Sequence, residues 1–378
     1  MRMKAAVLRQ IGAARPYAET QPISIEEVEL DPPGVGEVLV RIGGGGLCHS
    51  DLSIINGARP RPLPLVLGHE GAGEIVEVGE GVRDLAAGDH VVFQFSASCG
   101  RCARCQEGRP QICMNNTRAR ATGELMGGGK RLRDGDGNAV AHHSGVSCFA
   151  EYAVADRGSV VKIDDELPLD EAAIFGCAVM TGVGAVINTA RLRAGDKVAV
   201  IGLGGVGLNG LLGAVMGGAG LIIAVDLNPE RLGLARQLGA HHTVDAREPD
   251  HVQQILDLSG GGVDYAFDLA GAIPALDTAY KSLARGGEVI LAGLAPSTAT
   301  FALPAGALVT DEKAVRGSYM GSCVPVRDIP RFIEAYRAGR LPIDRLISRT
   351  VGFDEVNAGF DRLDDAQAIR QILVPHAA

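Results

Sequence analysis

The sequence contains no tryptophan, and aromatic residues make up only 4% of its 378 positions. It also lacks a run of the roughly 18 apolar residues that a membrane-spanning helix requires. The longest candidate, residues 208–225, is interrupted by glycines and is typical of a helix followed by a strand. Basic residues are outnumbered, with 36 lysines and arginines against 45 acidic residues and a net charge of −9. These deficits argue against a membrane span and against a nucleic-acid-binding surface.

The chain is instead rich in apolar and small residues. Hydrophobic residues make up 46% of it, and 52 positions are glycine. Because 378 residues exceed the size at which a single core stops growing, we expect two domains. The first ten residues, MRMKAAVLRQ, lack the apolar core of a secretory signal. We therefore expect the eight cysteines in a reducing cytoplasm, where such clusters bind metals or do chemistry.

Four of those cysteines form one short cluster with the spacing C-x2-C-x2-C-x7-C. The cluster consists of Cys99, Cys102, Cys105 and Cys113. Four thiolates from one loop suit tetrahedral Zn²⁺ in a closed structural site. Iron–sulfur clusters also use four cysteines, so the spacing by itself leaves both metals open. A disulfide cluster is the non-metal alternative.

A second, mixed set of metal-type residues precedes the tetrad. It contains Cys48, His49, His69 and Glu70. A catalytic zinc keeps three protein ligands and an open position, and two cysteines with one histidine are a known set. Cys48 and His69 supply two ligands, and Cys177, just before the second half of the chain, is the candidate for the third. Taken singly, each of these residues would more often be an ordinary core side chain.

A glycine-rich motif, Gly202–Gly207 (GLGGVG), follows the apolar strand predicted at Lys197–Ile201 and opens a helix. Its glycines allow a tight turn, close approach to a pyrophosphate and close helix–strand contact. The start of the helix offers free N–H groups to phosphates. Asp226 ends the next apolar strand, where a carboxylate can accept hydrogen bonds from an adenosine ribose. The motif predicts a dinucleotide site that prefers NAD to NADP; a structural turn is the alternative.

The two halves differ in their pattern. The first half predicts short strands between turns, at residues 4–9, 37–42, 73–78, 90–95 and 151–154, and a loop-like region over 114–147. From residue 197 to 292 apolar strands alternate with helices, which indicates a parallel sheet covered on both faces. Helices predicted at 329–337 and 354–364 return to the first domain.

These motifs together resemble the zinc-dependent medium-chain alcohol dehydrogenase family across essentially the whole chain. Gly68-His69-Glu70-Gly71-Ala72-Gly73, followed by Gly79, Gly81 and Gly88-Asp89, is similar to the family signature, and the tetrad and glycine-rich loop occur in family order. The resemblance implies an α/β protein with a GroES-like, mostly-β catalytic domain at 1–178 holding both zinc sites. A Rossmann doubly wound coenzyme domain is expected at 179–321, and residues 322–378 are expected to return to the catalytic domain.

The resemblance also implies residue roles. Cys48, His69 and Cys177 would bind a catalytic zinc, and the tetrad a structural zinc. Asp51 would orient His69, Glu70 would lie beside the metal, and Ser50 would take the proton from the substrate alcohol. Phe95 would line the substrate pocket. The implied cofactor contacts are His49, Thr181, Gly202, Gly204, Gly205, Val206, Gly207, Asp226, Arg231, Leu294 and Arg370.

The implied activity is an NAD-dependent interconversion of alcohols with aldehydes or ketones. Zinc would bind the alcohol oxygen and favour the alkoxide, whose carbon passes hydride to the nicotinamide. The expected partners are a small-molecule substrate, no nucleic acid, no membrane, and a second copy of the chain in a homodimer, with a tetramer as the alternative.

Several positions depart from the family pattern. Ser53 stands where many members carry a histidine that relays the proton outward. The long segment after Cys113 resembles the branch that includes glutathione-dependent formaldehyde dehydrogenase, a thiol-adduct enzyme. However, Thr117 replaces the arginine of that branch, and Arg59 and Arg61 replace its acidic residues. A zinc-free quinone reductase or a structural lens-type relative is the alternative of another class, and the intact ligand set argues against it.

Overall fold

The computed structural model describes residues 1–376, which form two units. The first unit contains Met1–Cys177, Val324–Arg331 and the described residues from 344 onward; the second contains Ala178–Cys323 and Phe332–Ile343. Residues 322–378 were predicted to return to the first domain, whereas residues 322–323 and 332–343 group with the second unit, as does Ala178 at the end of the predicted first domain. The helix Pro325–Arg337 crosses this border, and motifs alone do not reveal a border inside a helix.

The first part of the first unit is mostly strands joined by short helices. Its strands are β1 (Arg2–Leu8), β2 (Ile23–Leu30), β3 (Glu37–Gly46), β4 (Leu65–Val66), β5 (Gly71–Val78), β6 (His90–Phe93), β7 (Leu132–Arg133), β8 (Ala139–His142), β9 (Tyr152–Asp156) and β10 (Val160–Lys162). Its helices are α1 (Tyr17–Thr20), α2 (His49–Ile55), α3 (Ala103–Gln106), α4 (Met114–Thr122) and α5 (Leu169–Ala172).

The second unit alternates strands and helices. Its strands are β11 (Lys197–Ile201), β12 (Leu221–Asp226), β13 (His242–Asp245), β14 (Val263–Asp268), β15 (Leu283–Leu291) and β16 (Ala314–Gly317). Its helices are α6 (Ala178–Gly184, continued by a π-helix at Ala185–Ala190), α7 (Gly205–Met216), α8 (Pro229–Gln237), α9 (His251–Ser259), α10 (Ile273–Lys281) and α11 (Ala305–Thr310). After it come α12 (Pro325–Arg337), β17 (Ile347–Val351), α13 (Val356–Asp364) and β18 (Arg370–Leu373).

The first unit combines a small barrel with a second sheet. Strands β1-β2-β7-β8-β4 close into the barrel, and β10-β6-β5-β3-β18-β17 form the sheet, with β9 also paired to β3. The glycine run Gly43–Gly46 continues β3 rather than ending it, and Gly45 and Gly46 pair with Leu373 and Ile372 of β18. Buried residues of both sheets and of α2 and α13 share one core, which includes Ile42, Leu52, Phe149 and Phe360.

The second unit is a parallel sheet in the order β13-β12-β11-β14-β15-β16. The strand order reverses at β11, and the glycine-rich loop directly follows this strand. Ligands of such sheets bind at this kind of switch point. Apolar residues of β11, β12 and β14 are buried, as expected for a sheet covered on both faces. The predicted GroES-like and Rossmann architecture is confirmed.

The region 114–147, expected as a loop, contains α4 and the barrel strands β7 and β8. Helix α4 ends at Gly123, which has the left-handed φ of 69° that favours glycine. The sequence MNNTRARAT has almost no apolar face, so periodicity gave no helix signal there. Within residues 1–376, no single helix is long and apolar enough to cross a membrane; residues 169–190 pass that test only when two helices separated by a break are taken together.

Candidate active site

The mixed cluster predicted from the sequence comes together in the first unit. Cys48 immediately precedes α2, His69 follows β4, and Cys177 follows a short 3₁₀ turn. Donor atoms of these three residues and of Glu70 lie within 4.8 Å of one another, and all four residues are buried. Cys177 Sγ lies 3.6 Å from His69 Nε2. Two thiols and an imidazole converging in this way are a donor set that suits zinc.

Asp51, in the first turn of α2, orients this cluster. Its Oδ1 lies 3.2 Å from His69 Nδ1 and 3.0 Å from His143 Nδ1. Its carboxylate also accepts the backbone N–H groups of Cys48 and Gly68, each at 3.3 Å. Because Nδ1 of His69 faces the carboxylate, Nε2 is left for a metal. Burial opposes the charge of Asp51, but the two histidines outweigh it and lower the pKa of Asp51 below its usual value.

The two thiols of the cluster behave as a pair. Contact with Cys177 lowers the pKa of Cys48 well below its usual value, and the same contact raises the pKa of Cys177 well above it. Such a pair retains one proton that belongs to both groups. A metal cation would take the place of that proton, because metal binding requires deprotonated thiolates.

Glu70 lies beside the thiols and pairs with Arg370 of β18. Burial raises the pKa of Glu70 to about 7, even though Nη1 of Arg370 lies 3.3 Å from its Oε2. Among the described residues, no group donates a hydrogen bond to Glu70 Oε1, which is buried. A buried carboxylate oxygen without a donor is one more potential metal ligand at this position. Arg370, which was predicted as a cofactor contact, is thus observed as the charge partner of Glu70.

The cysteine tetrad forms a second donor cluster in the first unit. The Sγ atoms of Cys99, Cys102, Cys105 and Cys113 lie within 4.8 Å of one another. Backbone N–H groups of Cys105 and Met114 lower the pKa of Cys102 to about 6, whereas burial raises the pKa of Cys105 to about 12. Backbone donors directed at a sulfur stabilise the thiolate, the form that binds metals.

The wall beside His69 consists of an aromatic ring and basic side chains. The ring of Phe95, the predicted pocket residue, meets the ring of His69 edge-on, with centroids 5.5 Å apart. The guanidinium carbon of Arg120, on α4, lies 5.9 Å from the centroid of Phe95. The His143 ring lies 5.0 Å from that of His69. Ser50, the predicted proton acceptor, lies with its Oγ 3.8 Å from Cys48 Sγ.

In the second unit, the glycine-rich loop has the geometry that its sequence predicts. Gly202 has a φ of 86°, which favours glycine. A side chain at Gly207 would overlap the carbonyl oxygen of Gly202, whereas Gly204 faces open space. Asp226, at the end of β12, accepts the N–H of Leu203 at 2.6 Å and that of Asn228 at 2.8 Å. The loop and the acidic residue are therefore adjacent.

The other predicted cofactor residues are divided between the units. Thr181 lies on α6 and Val206 on α7, and these helices pack so closely that a side chain at Gly182 would overlap the Val206 carbonyl oxygen. Arg231 lies on α8, and Leu294 is exposed after β15. His49 is exposed at the start of α2 in the first unit, and its carbonyl accepts the Ser53 hydroxyl at 2.8 Å.

Sequence reasoning missed two residues beside the cluster. His143 was not among the predicted site residues, yet its ring lies against His69 and near Asp51. Arg120 was not singled out because the helix that carries it was not predicted. The pair His142-His143 was a visible signal for the first, whereas no motif marked the second.

The two cysteine clusters and the glycine-rich loop on this pair of units are the features of a zinc-binding dehydrogenase. The model of the alcohol dehydrogenase GroES-like domain matches residues 34–165, and that of the zinc-binding dehydrogenase domain matches residues 205–337. The chain belongs to the zinc-dependent medium-chain alcohol dehydrogenase family, and it is an enzyme of that family.

Curated relatives cover nearly the whole chain. The S-(hydroxymethyl)glutathione dehydrogenase of Paracoccus denitrificans is 36% identical over 383 residues, covering 99% of this chain and 100% of the relative. The geraniol dehydrogenase of Castellaniella defragrans is 38% identical over 373 residues, covering 98% and 97%. The family, including its formaldehyde dehydrogenase branch, is therefore confirmed.

Solved structures agree with this membership. An alcohol dehydrogenase zinc-binding domain protein from Burkholderia ambifaria has a TM-score of 0.94 and 36% identity, with full coverage of both chains. Benzyl alcohol dehydrogenase from Acinetobacter calcoaceticus has a TM-score of 0.91 and 31% identity, with 99% of both chains covered.

Proposed function

We propose that the protein is an NAD-dependent oxidoreductase that interconverts alcohols with aldehydes or ketones and holds two zinc ions per chain. The observation that carries this proposal is the convergence of Cys48, His69 and Cys177, with Asp51 behind the histidine, in a family of zinc-dependent dehydrogenases. The glycine-rich loop and Asp226 support a dinucleotide as the hydride acceptor.

The catalytic zinc would be held by Cys48, His69 and Cys177. These residues suit a zinc ion because they are buried and their donor atoms lie within 4.8 Å of one another. The two thiols also retain a proton that a cation can displace. Three protein ligands leave a position open for substrate. When bound, the zinc supplies Lewis-acid polarisation of the substrate oxygen. Arg370 balances the negative charge of Glu70 beside these ligands.

The second zinc would be held by the four cysteines of the tetrad. Their sulfur atoms already converge, and backbone N–H groups of the loop point at Cys99 and Cys113 sulfurs at 3.3 and 3.5 Å. A closed four-thiolate site of this kind leaves no position for substrate and contributes to folding. Its role is to hold the loop between Ser98 and α4 in place.

The proposed cofactor is NAD because of Asp226. A carboxylate at the end of β12 can accept hydrogen bonds from ribose hydroxyls, whereas it would repel a 2′-phosphate. The two backbone N–H groups that it accepts fix both of its oxygens, so the carboxylate is held in one orientation. Each oxygen keeps a second lone pair for a ribose hydroxyl.

Ser50 is proposed to take the proton of the alcohol. Its hydroxyl lies on the first turn of α2, beside the Cys48 sulfur. Ser53, at the position where many relatives carry a relay histidine, donates its hydroxyl to the His49 carbonyl at 2.8 Å. Because that hydroxyl is used within the helix, we propose that the proton leaves Ser50 through water or through the exposed His49.

The second candidate is oxidation of the thiol adduct of formaldehyde. The S-(hydroxymethyl)glutathione dehydrogenases among the relatives favour it. Against it stand Thr117 in place of an arginine and basic residues, Arg59 and Arg61, in place of acids. A strict requirement for glutathione in formaldehyde oxidation would establish this candidate.

We further propose a homodimer in the cytoplasm. The edge strand β16 is exposed along its whole length, and no other strand of the described residues pairs with its outer edge. An unpaired edge of this kind can add a strand from a second copy. No disulfide joins any cysteine among residues 1–376, which is consistent with a reducing compartment.

The decisive experiment is a substrate panel with zinc-loaded protein and NAD, scored by kcat/KM. The panel contains primary, secondary and aromatic alcohols and formaldehyde with and without glutathione. His69→Ala should abolish turnover, and the exposed His242→Ala serves as the matched control that should retain it. Turnover that survives in His69→Ala, or a protein that holds no zinc after careful loading, would contradict the proposal.

A further inference from the structure

A buried pair of polar side chains connects helix α4 with the segment that carries Phe95. Ser96, which follows Phe95, is 2% exposed, and Asn116, on α4, is 4% exposed. Asn116 Nδ2 donates a hydrogen bond to Ser96 Oγ at 3.1 Å, and Ser96 Oγ donates one to the Gln111 carbonyl oxygen at 3.0 Å. The Ser96 hydroxyl therefore both accepts and donates. Satisfied buried networks of this kind hold the groups they join in one arrangement.

The two neighbours of Phe95 in the chain are held in different ways. Strand β6 ends two residues before Phe95. On one side, the backbone N–H of Gln94 donates to the Ser159 carbonyl oxygen at 2.8 Å. On the other side, the Ser96 side chain joins the segment to α4. The ring between these two points meets the His69 ring edge-on, with centroids 5.5 Å apart, so its orientation matters to the proposed reaction centre.

One face of α4 meets this segment twice. Asn116 and Arg120 are four residues apart, which places them on the same side of a helix. Asn116 contacts Ser96, and the guanidinium carbon of Arg120 lies 5.9 Å from the centre of the Phe95 ring. Helix α4 begins directly after Cys113. The ring is therefore held by an element that starts at the cysteine tetrad.

We propose that Asn116 is a positioning residue for substrate selectivity. Its hydrogen bond to Ser96 fixes the ring of Phe95, and that ring decides how well an aromatic alcohol fits beside the proposed zinc ligands compared with a small aliphatic one. This inference rests on the proposed function of the same site. Contact between two rings depends on their relative orientation, whereas a two-carbon alcohol has little to lose when the wall moves.

A purely structural role of Asn116 would have a different signature. Loss of a buried hydrogen bond destabilises the fold and lowers the amount of active protein, which reduces turnover of every substrate by the same factor. A positioning role instead changes the ratio between two substrates measured on one sample. The quantity to measure is therefore the ratio of kcat/KM for benzyl alcohol to kcat/KM for ethanol, because the concentration of active protein cancels.

The kinetic test uses zinc-loaded protein and NAD and compares the wild type with Asn116→Ala and Ser96→Ala. Each variant should shift the ratio in the same direction as Phe95→Ala, by about threefold to tenfold, the range that one hydrogen bond supports. The shift should come mainly from the KM of benzyl alcohol. Ser96→Thr, which keeps the hydroxyl, should retain the wild-type ratio. Asn115→Ala is the matched control, because Asn115 is exposed on the same helix, and it should also leave the ratio unchanged.

A double-variant cycle tests whether the effect passes through the ring. In the Phe95→Ala background, Asn116→Ala should leave the ratio unchanged, because no ring remains to be positioned. A shift of equal size in both backgrounds would show that Asn116 acts elsewhere and would overturn the proposal. An equal loss for both alcohols in Asn116→Ala, with no change in their ratio, would overturn it as well.

A spectroscopic measurement tests the position of the ring without turnover. Replacing Phe95 with 4-fluorophenylalanine allows fluorine NMR to report the surroundings of the ring in the zinc-loaded protein. The resonance should shift or broaden when Asn116→Ala or Ser96→Ala is added, and it should stay in place with Asn115→Ala. An unchanged resonance with Asn116→Ala would overturn the proposal even if that variant is inactive.

The outcomes also separate this inference from the proposed function. Turnover of both alcohols with a ratio that does not depend on Asn116 refutes the positioning role and leaves the dehydrogenase activity standing. If neither alcohol is turned over, the proposed activity fails, and calorimetry with the unreactive amides benzamide and acetamide takes the place of kinetics. An affinity ratio of the two amides that changes in Asn116→Ala and not in Asn115→Ala supports the positioning role, and a ratio that is the same in both variants refutes it.

Discussion

Replacing Asp51 by asparagine tests whether the carboxylate behind His69 prepares the cluster for zinc. Asp51 is fully buried, and asparagine has nearly the same shape, so the substitution changes charge and hydrogen bonding with little change in packing. In the native protein the carboxylate faces His69 Nδ1 at 3.2 Å and accepts the N–H of Cys48 at 3.3 Å. The asparagine must turn its NH₂ group toward one of these two sides.

Two energies follow from that geometry. If the NH₂ faces the Cys48 N–H, a buried donor loses its acceptor, which costs about 1–3 kcal/mol of stability. Removing the carboxylate partner of a ligating histidine weakens metal binding by roughly 10- to 100-fold. That factor corresponds to about 1.4–2.8 kcal/mol of zinc-binding free energy. We therefore expect a variant that folds, binds its catalytic zinc more weakly and turns over more slowly.

The measurement is a zinc titration against a chelating dye, with both zinc ions followed separately. In Asp51→Asn one zinc should be released at a lower chelator concentration, while the tetrad zinc is unaffected. Asp134→Asn is the control, because Asp134 is a buried carboxylate that accepts backbone N–H groups but lies in neither cysteine cluster. Equal zinc affinities in Asp51→Asn and the wild type, or an equal loss in the control, would refute the reasoning.

Three further predictions concern the tetrad, the cofactor and acid stability. Cys102→Ser should release one zinc and lower Tm by several degrees while turnover per folded molecule persists, because a closed site contributes to folding; calorimetry and metal analysis check this. Asp226→Ser should raise the NADP-to-NAD ratio of kcat/KM at least tenfold on one alcohol, because repulsion of the 2′-phosphate is lost. Burial lowers the pKa of His142 from 6.5 to about 3, and its Nε2 accepts the Arg131 N–H at 3.0 Å. The unfolded chain therefore binds one more proton between these two pH values, and the stability of the fold should fall by about 1.4 kcal/mol per pH unit as pH decreases through that window. His142→Gln should remove this contribution, as measured by urea unfolding followed by circular dichroism at pH 7 and pH 5.

The features that the sequence could predict are those whose parts lie close together along the chain. The tetrad spans residues 99–113, and the glycine-rich loop spans 202–207, so spacing alone indicated that their atoms converge. Cys177 was assigned to the mixed cluster from its place in the chain and from the family resemblance. In the structure, Cys177 Sγ lies 3.6 Å from His69 Nε2, although the two residues are 108 positions apart in the sequence.

The features that could not be predicted depend on side-chain direction and on helices without an apolar face. Arg120 reaches Phe95 only because α4 forms directly after the tetrad, and the polar sequence of α4 has no periodicity to indicate a helix. His143 lies against His69 because β8 of the barrel ends beside the cluster. The border between the two units inside α12 was not predicted, because the hydrophobic pattern of a helix does not show which of two cores the helix belongs to.

The position of β18 has a consequence for the order in which the protein can assemble during synthesis. β18 pairs with Gly45 and Gly46 of β3, and its Arg370 contacts Glu70, which lies 300 positions earlier. The ribosome therefore exposes the proposed metal ligands long before the strand and the cation that complete their surroundings. Until residue 373 has left the exit tunnel, β3 lacks one neighbour and Glu70 lacks its counter-charge. A chain stalled before that point would present an unfinished sheet, and a carboxylate without its arginine, to molecular chaperones.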